Sequence, residues 1–173
     1  MFEHIKAIAM DVDGVLTDGT FWWGSNGEQF KRFSYADVTG IPRGRTGAGL
    51  IYALVSGESS PTSITLVKQY AEKLKIADIY PGCHDKAGAV RDFASKHGLQ
   101  LSEICFVGDD VQDVPAMEIV GIAVAPANAQ PVAKVKAHII TSQNGGFGVI
   151  REIVESILKE RTSGGFIDGG KKG

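Results

Sequence analysis

The sequence predicts an α/β fold in which a parallel sheet is covered by helices on both faces, and three observations carry that expectation. Short runs that are apolar at every position, such as Ile104–Val107 and Ile122–Val124, alternate with longer helical patterns. Strands without a polar face are strands buried on both sides, which is the habit of parallel sheets. The helical stretches place apolar residues at three- and four-residue spacing, as at Ile150, Ile153, Val154 and Ile157. Polar turns follow directly on the strands: Asp11 to Gly14, Ser56-Gly57 and Gly108-Asp109-Asp110. Ligands bind at the carboxyl ends of strands in a Rossmann-like, doubly wound sheet.

The elements follow in order. Ile5–Met10 reads as the first buried strand. Thr20–Trp23 and Glu28–Phe33 flank Gly24-Ser25-Asn26-Gly27, a pattern for a projecting β-hairpin over residues 20–33. Asp37 is read as the cap of a short helix reaching about Thr46, weakened at Pro42. Leu50–Val55 is the next strand, ending at Ser56-Gly57. Ser60-Pro61 opens a helix with proline in its first position, and Ile64, Val67, Ala71 and Leu74 form its apolar stripe. Ile79-Tyr80 is a short strand. Lys86–His97 is a helix with Val90, Phe93 and Ala94 inward, stopped by Gly98. After the strand Ile104–Val107 a helix is expected to run to Val120. The strand Ile122–Val124, a short helix near Gln130–Lys134, the strand His138–Ile140 and a helix over Val149–Leu158 complete the chain. Residues 1–162 are expected to form one domain, and residues 163–173 a glycine-rich tail.

Composition narrows the function classes. The chain has 173 residues, 43% of them hydrophobic and 22% charged, and a formal net charge of −2. A chain without a basic face has no reason to take nucleic acid or an anionic membrane as its main partner. No apolar run approaches the ~18 residues of a membrane span, and Met1–Met10 carries no signal-peptide pattern. Two cysteines, Cys83 and Cys105, make no disulfide framework, so a cytoplasmic setting is expected. The glycine-rich stretches contain no P-loop lysine.

The chemistry is concentrated in Asp11-Val12-Asp13-Gly14-Val15-Leu16-Thr17-Asp18-Gly19. Two carboxylates two residues apart, directly after a buried strand, repel one another unless a cation accompanies them. A hard divalent cation with oxygen ligands answers that need, and Asp109 at another strand end can add a further oxygen. Such an arrangement suits phosphoryl transfer, which requires an in-line nucleophile and cations around a spread negative charge. Asp11 can attack phosphorus, and Asp13 can protonate the leaving oxygen and then activate water. Ser56 and nearby backbone N–H groups can bind phosphate oxygens, while Lys86 offsets charge.

These segments, taken together with Asp113, resemble in order the four motifs of the haloacid dehalogenase superfamily. The resemblance spans roughly Ile5 to Ile157 and implies Asp11 as nucleophile, Asp13 as general acid and base, and Lys86 as the catalytic cation. It also implies Mg²⁺ on Asp11, Asp109 and the backbone carbonyl of Asp13, with Asp113 and Asp110 supporting the site from behind. Neither Thr17 to Leu50 nor Ser56 to Lys86 leaves room for a cap domain, so the site is expected to be open. Phe21, Trp22, Trp23, Phe30 and Phe33 cannot all lie on one face of a two-stranded ribbon. The hairpin is therefore expected to be an interface, and the chain a homo-oligomer, a tetramer being favoured.

Within the superfamily the chain is similar to the 3-deoxy-D-manno-octulosonate 8-phosphate phosphatase family. The residues that match are Asp11–Gly19, Lys31-Arg32-Phe33, Asp37, Gly108–Asp113 and Gly145–Glu152. That resemblance implies a phosphorylated 2-keto-3-deoxy sugar acid as substrate and a C-terminal segment able to cover a neighbour's site. Glu58 departs from the arginine usual after Ser56-Gly57; with Lys73 it resembles the related branch acting on nonulosonate 9-phosphates. Ser56, Gly57, Glu58 and Lys73 are thus the candidate substrate-binding residues, with Lys73 either neutralising Glu58 or meeting a substrate carboxylate. Two other readings stand beside this one: a phospho-aspartate signalling module, and a phosphatase for a different small metabolite. Asp13, sitting where a leaving-group acid belongs, argues against the former.

Overall fold

The strands form where apolar residues run unbroken, and every one of them in the main sheet is parallel to its neighbours. The computed structural model describes residues 1–163. Six strands line up in the order β5-β4-β1-β6-β7-β8: β1 is Ala7–Met10, β4 Ile51–Ser56, β5 Asp78–Pro81, β6 Ile104–Val107, β7 Ile122–Ala125 and β8 Ile139–Ile140. Pairing is in simple register; Ala7 lies beside both Ile51 and Ile104, and Met10 beside both Leu54 and Val107. A separate ribbon pairs β2 (Trp22–Trp23) with β3 (Gln29–Phe30) in antiparallel fashion. Gly27, at φ +83°, closes its turn, in a backbone region open to glycine.

The two faces of the sheet are chemically different. On one, Ile8, Met10, Tyr52, Leu54, Cys105 and Val107 pack under α1 (Tyr35–Ala48), α2 (Pro61–Leu74) and α6 (Val149–Ser163). On the other, Ala7, Ala9, Ala53, Ala123 and Ala125 lie under α3 (Lys86–His97), α4 (Val114–Met117) and α5 (Pro131–Lys136), with Phe93 and Phe106 filling the space between. Small side chains on that second face let the helices sit close to the sheet. No cap domain is present among the described residues, and none of their helices is long and apolar enough to cross a membrane.

The structure corrects several boundaries. The helix read as short and weakened at Pro42 is fourteen residues long, and its cap is Ser34, whose side chain accepts the Ala36 N–H. Asp37 instead lies buried in the first turn and accepts the Arg151 N–H at 3.0 Å. Packing overrides the poor helix propensity here. A β-carbon at Gly40 would lie 2.9 Å from Arg151 Cα, and one at Gly47 would lie 2.7 Å from Leu158 Cδ2, so the glycines form a groove that admits α6. The helix expected up to Val120 is divided into a 3₁₀ turn at Val111–Asp113 and the short α4, with Pro115 in the first turn of α4. Lacking an N–H, Pro115 cannot bond back to Val111 in an α-helix. α6 continues beyond Leu158 to Ser163, where Arg161 donates to the carbonyls of Ala48 and Ile5 at 2.6 Å each. The expectation that a C-terminal tail covers a neighbour falls on residues outside those described.

In the ribbon Phe21, Trp22, Trp23 and Phe30 are exposed. Phe33 departs from the expected aromatic display: it turns inward and stacks on Tyr70, ring centroids 3.7 Å apart.

Candidate active site

β1 is central, and its neighbours β4 and β6 bring their own carboxyl ends to the same rim. Asp11 leaves β1 with its N–H still bonded to Val107 O at 2.9 Å. A cavity of roughly 370 Å³ opens there, lined by Asp11, Asp13, Gly57, Glu58, Lys86 and Asp109, among others. That volume lies within the usual range for small-molecule sites.

Lys86 is the buried centre of the charge arrangement. Its ammonium lies 3.0 Å from Asp11 Oδ2 and 2.6 Å from Asp113 Oδ1. It begins α3, where the helix dipole disfavours a cation. Burial alone would lower its pKa, but Asp11 and Asp113 outweigh burial and hold it above the ordinary lysine value. Asp113, wholly buried, is also engaged on its other oxygen: Oδ2 accepts the N–H groups of Asp109 (2.9 Å) and Asp110 (3.1 Å). It therefore fixes the loop after β6 to the lysine after β5. Asp110, exposed, accepts the Val111 N–H at 2.6 Å.

Ligand oxygens from Asp11, Asp109 and Asp113 lie within 4.8 Å of one another. Burial raises the Asp11 carboxyl well above its ordinary range, and Asp113 adds to the rise while Lys86 opposes it. Burial likewise pushes Asp109 up to about 7, with Asp113 and Asp110 contributing. Carboxylates crowded in this way are short of positive charge, and the all-oxygen donor set fits a hard divalent cation such as Mg²⁺. Asp113 has its oxygens engaged by Lys86 and two N–H groups, and Asp11 is bonded to Lys86 and the Val12 N–H, which leaves Asp109 as the one of the three whose carboxylate has no hydrogen bond among the described residues. Gly14, at φ +88°, lets the loop pass directly against Asp109; a β-carbon there would lie 2.1 Å from Asp109 Oδ2.

Asp13 is held from two sides. Thr17 Oγ1 donates to its Oδ1 at 3.4 Å, and Lys31 Nζ bonds its Oδ2 at 2.8 Å. Ser56 is buried and its hydroxyl has no hydrogen-bond partner among the described residues. Beside it, Gly57 lines the cavity. Glu58 also lines it and accepts the Ser60 N–H at 2.8 Å; that bond first, with nearby Lys31 contributing, holds its carboxyl below the ordinary value.

Of the residues singled out from sequence, the structure gathers Asp11, Asp13, Gly57, Glu58, Lys86, Asp109, Asp110 and Asp113 around one cavity. Ser56, buried beside Gly57, does not line it, and neither does Lys73. That lysine is exposed in the last turn of α2. The helix begins beside Glu58 and rises ~1.5 Å per residue, which carries Lys73 roughly 18 Å away. The cation whose charge acts on Glu58 is Lys31. Its inward position has a signal in the sequence: Lys31 is two residues before Phe33, so a period of two sends both to the same side.

A model of the haloacid dehalogenase-like hydrolase family matches residues 59–153, and the chain belongs to that family. It is 35% identical over 156 residues to the 3-deoxy-D-manno-octulosonate 8-phosphate phosphatase of Salmonella typhi, covering 90% of this chain and 80% of that protein. The corresponding Escherichia coli K12 protein matches to the same extent. Among solved structures, the 3-deoxy-D-manno-octulosonate 8-phosphate phosphatase of Moraxella catarrhalis, in complex with magnesium ion, phosphate ion and KDO, superposes with a TM-score of 0.84. The two chains share 35% identity over 91% of this chain and 88% of that one. The cobalt-bound Haemophilus influenzae deoxy-D-mannose-octulosonate 8-phosphate phosphatase gives 0.85 at 32% identity, covering 96% of this chain and 95% of that chain. Within the family this chain thus falls with the 3-deoxy-D-manno-octulosonate 8-phosphate phosphatase-like proteins, and it is a phosphoric monoester hydrolase. The signalling-module reading is set aside.

Proposed function

We propose that the chain is a Mg²⁺-dependent phosphatase that removes the terminal phosphate of a 2-keto-3-deoxy sugar acid through an aspartyl-phosphate on Asp11. The observation that carries the reading is the meeting of Asp11, Lys86 and Asp109 at one cavity from three separate strand ends. Asp11 and Asp109, with the backbone carbonyl of Asp13, are the groups that would hold Mg²⁺, which when bound screens the nucleophile from the phosphate dianion. Asp11 Oδ1 accepts the Val12 N–H at 2.8 Å, which fixes the carboxylate before attack. Lys86 offsets charge on the nucleophile and the transferring group. Ser56 Oγ, buried without a partner, is suited to accompany a phosphate oxygen. Asp13 protonates the leaving alkoxide and then takes a proton from the attacking water.

Two sugar acids are in view. Similarity to the octulosonate 8-phosphate phosphatases supports the eight-carbon substrate. Glu58 in the cavity, where that branch has arginine, favours a nonulosonate 9-phosphate, because a carboxylate there repels phosphate and suits hydroxyls or an amide. The exposed Trp22, Trp23 and Phe30 support association of the hairpin with further copies, in a tetramer that closes the uncapped site. A monomeric mass by light scattering would count against it. The cysteine content supports a cytoplasmic setting.

The test is a panel of eight- and nine-carbon sugar-acid phosphates, with Mg²⁺ and with a chelator. Wild type is expected to turn over one of them only with the metal, and Asp11→Asn to be inactive while folded. Steady hydrolysis by Asp11→Asn would refute nucleophilic attack by Asp11. Equal rates for Glu58→Arg and wild type on both sugars would remove Glu58 from specificity.

A further inference from the structure

Lys31 occupies an unusual place for a lysine. Its side chain is fully sheltered, at the foot of an otherwise exposed aromatic ribbon. Its ammonium lies 4.8 Å from the Phe21 ring centroid, within cation–π range. A sheltered ammonium requires a counter-charge, and its bonded partner is Asp13 Oδ2 at 2.8 Å, with Glu58 nearby as a second negative group. Lys31 does not line the cavity, whereas Asp13 does. The lysine therefore stands behind the carboxylate and addresses it away from where substrate enters.

Asp13 needs such help. It sits in a loop, a quarter exposed, and its other tether is a 3.4 Å bond from Thr17 Oγ1, whose oxygen also accepts the Gly14 and Gly19 N–H groups at 3.3 and 3.2 Å. Without Lys31 one carboxylate oxygen loses its partner and the side chain can rotate. Each oxygen keeps a free lone pair while so held, so the tether orients Asp13 without consuming its capacity to accept a proton.

We infer that Lys31 is a positioning residue for Asp13, holding it as an oriented carboxylate for the water-activating half of the reaction. The inference rests on the proposed aspartyl-phosphate mechanism. In that half, a water oxygen attacks phosphorus and the P–O bond to Asp11 breaks, returning its electron pair to the Asp11 carboxylate. The water proton passes to Asp13, and inorganic phosphate leaves. Loss of the orienting ammonium slows this step and leaves the enzyme as phospho-Asp11.

The test is rapid mixing of the full-length enzyme and Mg²⁺ with p-nitrophenyl phosphate, whose leaving group departs without protonation. Lys31→Met keeps the side-chain length and removes the charge. It is expected to show a burst of p-nitrophenol approaching one per site, a phosphoenzyme trapped by acid quench, and a kcat lowered by roughly ten- to a hundredfold, the usual range for loss of a supporting contact. Lys31→Arg, which keeps the cation, is expected to restore most of the kcat and reduce the burst. Lys31→Gln serves the same comparison if the methionine variant does not fold. Asp13→Asn is the reference: a folded Asp13→Asn with neither burst nor trapped phosphoenzyme overturns the proposed mechanism itself. If Asp13→Asn bursts and the uncharged Lys31 variants do not, the mechanism stands and the role of Lys31 falls. A general structural loss would lower the rate without accumulating phosphoenzyme.

Discussion

Replacing Asp113 by alanine tests whether one buried carboxylate ties the site together. The change removes three bonds: 2.6 Å to Lys86, 2.9 Å to the Asp109 N–H and 3.1 Å to the Asp110 N–H. Each N–H left without an acceptor costs about 1–3 kcal/mol where water cannot reach it. Breaking a buried ion pair from one side costs about 3–5 kcal/mol. Two features reduce these sums. Lys86 retains Asp11 at 3.0 Å, and removing Asp113 relieves the repulsion that burdens Asp11 and Asp109. A net loss of about 3 kcal/mol is expected, a large share of the ~5–15 kcal/mol that holds a domain folded. For a chain of this size that lowers Tm by roughly 6–12 °C. Urea unfolding of both proteins at one pH gives the difference directly, provided m is unchanged. A difference below about 0.5 kcal/mol would refute the assignment of Asp113 as the link between the two loops.

Gly145→Ala is expected to reach the site from behind, since its β-carbon would lie 1.8 Å from Gly14 O and 2.9 Å from Thr17 O, both backbone atoms that cannot swing aside. A loss of about 1–3 kcal/mol should accompany a kcat reduced by up to about a hundredfold as the Asp13 loop is displaced; a fully active, equally stable variant would contradict this. Asp37 predicts a pH dependence: burial raises its carboxyl to about 6 from its ordinary 3.8, although N–H groups of Arg151, Ile150 and Gly148 oppose the rise. A raised acid binds its proton more tightly in the folded state, so its stabilising contribution is complete below pH 3.8 and is lost as pH rises through about 6. At about 1.4 kcal/mol per pH unit, the stability of Asp37→Asn relative to wild type should improve by about 3 kcal/mol between pH 3.5 and 7. A constant difference in urea across that range would rule it out.

What the sequence disclosed and what it withheld have physical reasons. The rim of carboxylates was legible because each acid closely follows a strand whose apolar run is plain, so strand order alone gathers Asp11 and Asp109. The helix Lys86–His97 was legible to the residue, having Asp85 before it and Gly98 in the left-handed conformation after it. The long α1 was not, because its stability comes from α6 sliding into a glycine groove more than a hundred residues away in sequence. Lys73 is suggested by analogy of position, while its separation from Glu58 within one chain is set by the length and direction of α2. Lys31 was visible as part of a motif, but its bond to Asp13 depends on how the hairpin folds back over the loop.

The alanines beneath α3 have a further consequence. Lys86 is carried on the end of that helix, so its reach toward Asp11 is set by the standoff between helix and sheet. Ala9 and Ala53, on the hidden side of the strands, act as shims of minimum thickness. A methyl group added to either would tilt α3 outward and withdraw the ammonium, altering the chemistry from a position that no substrate approaches.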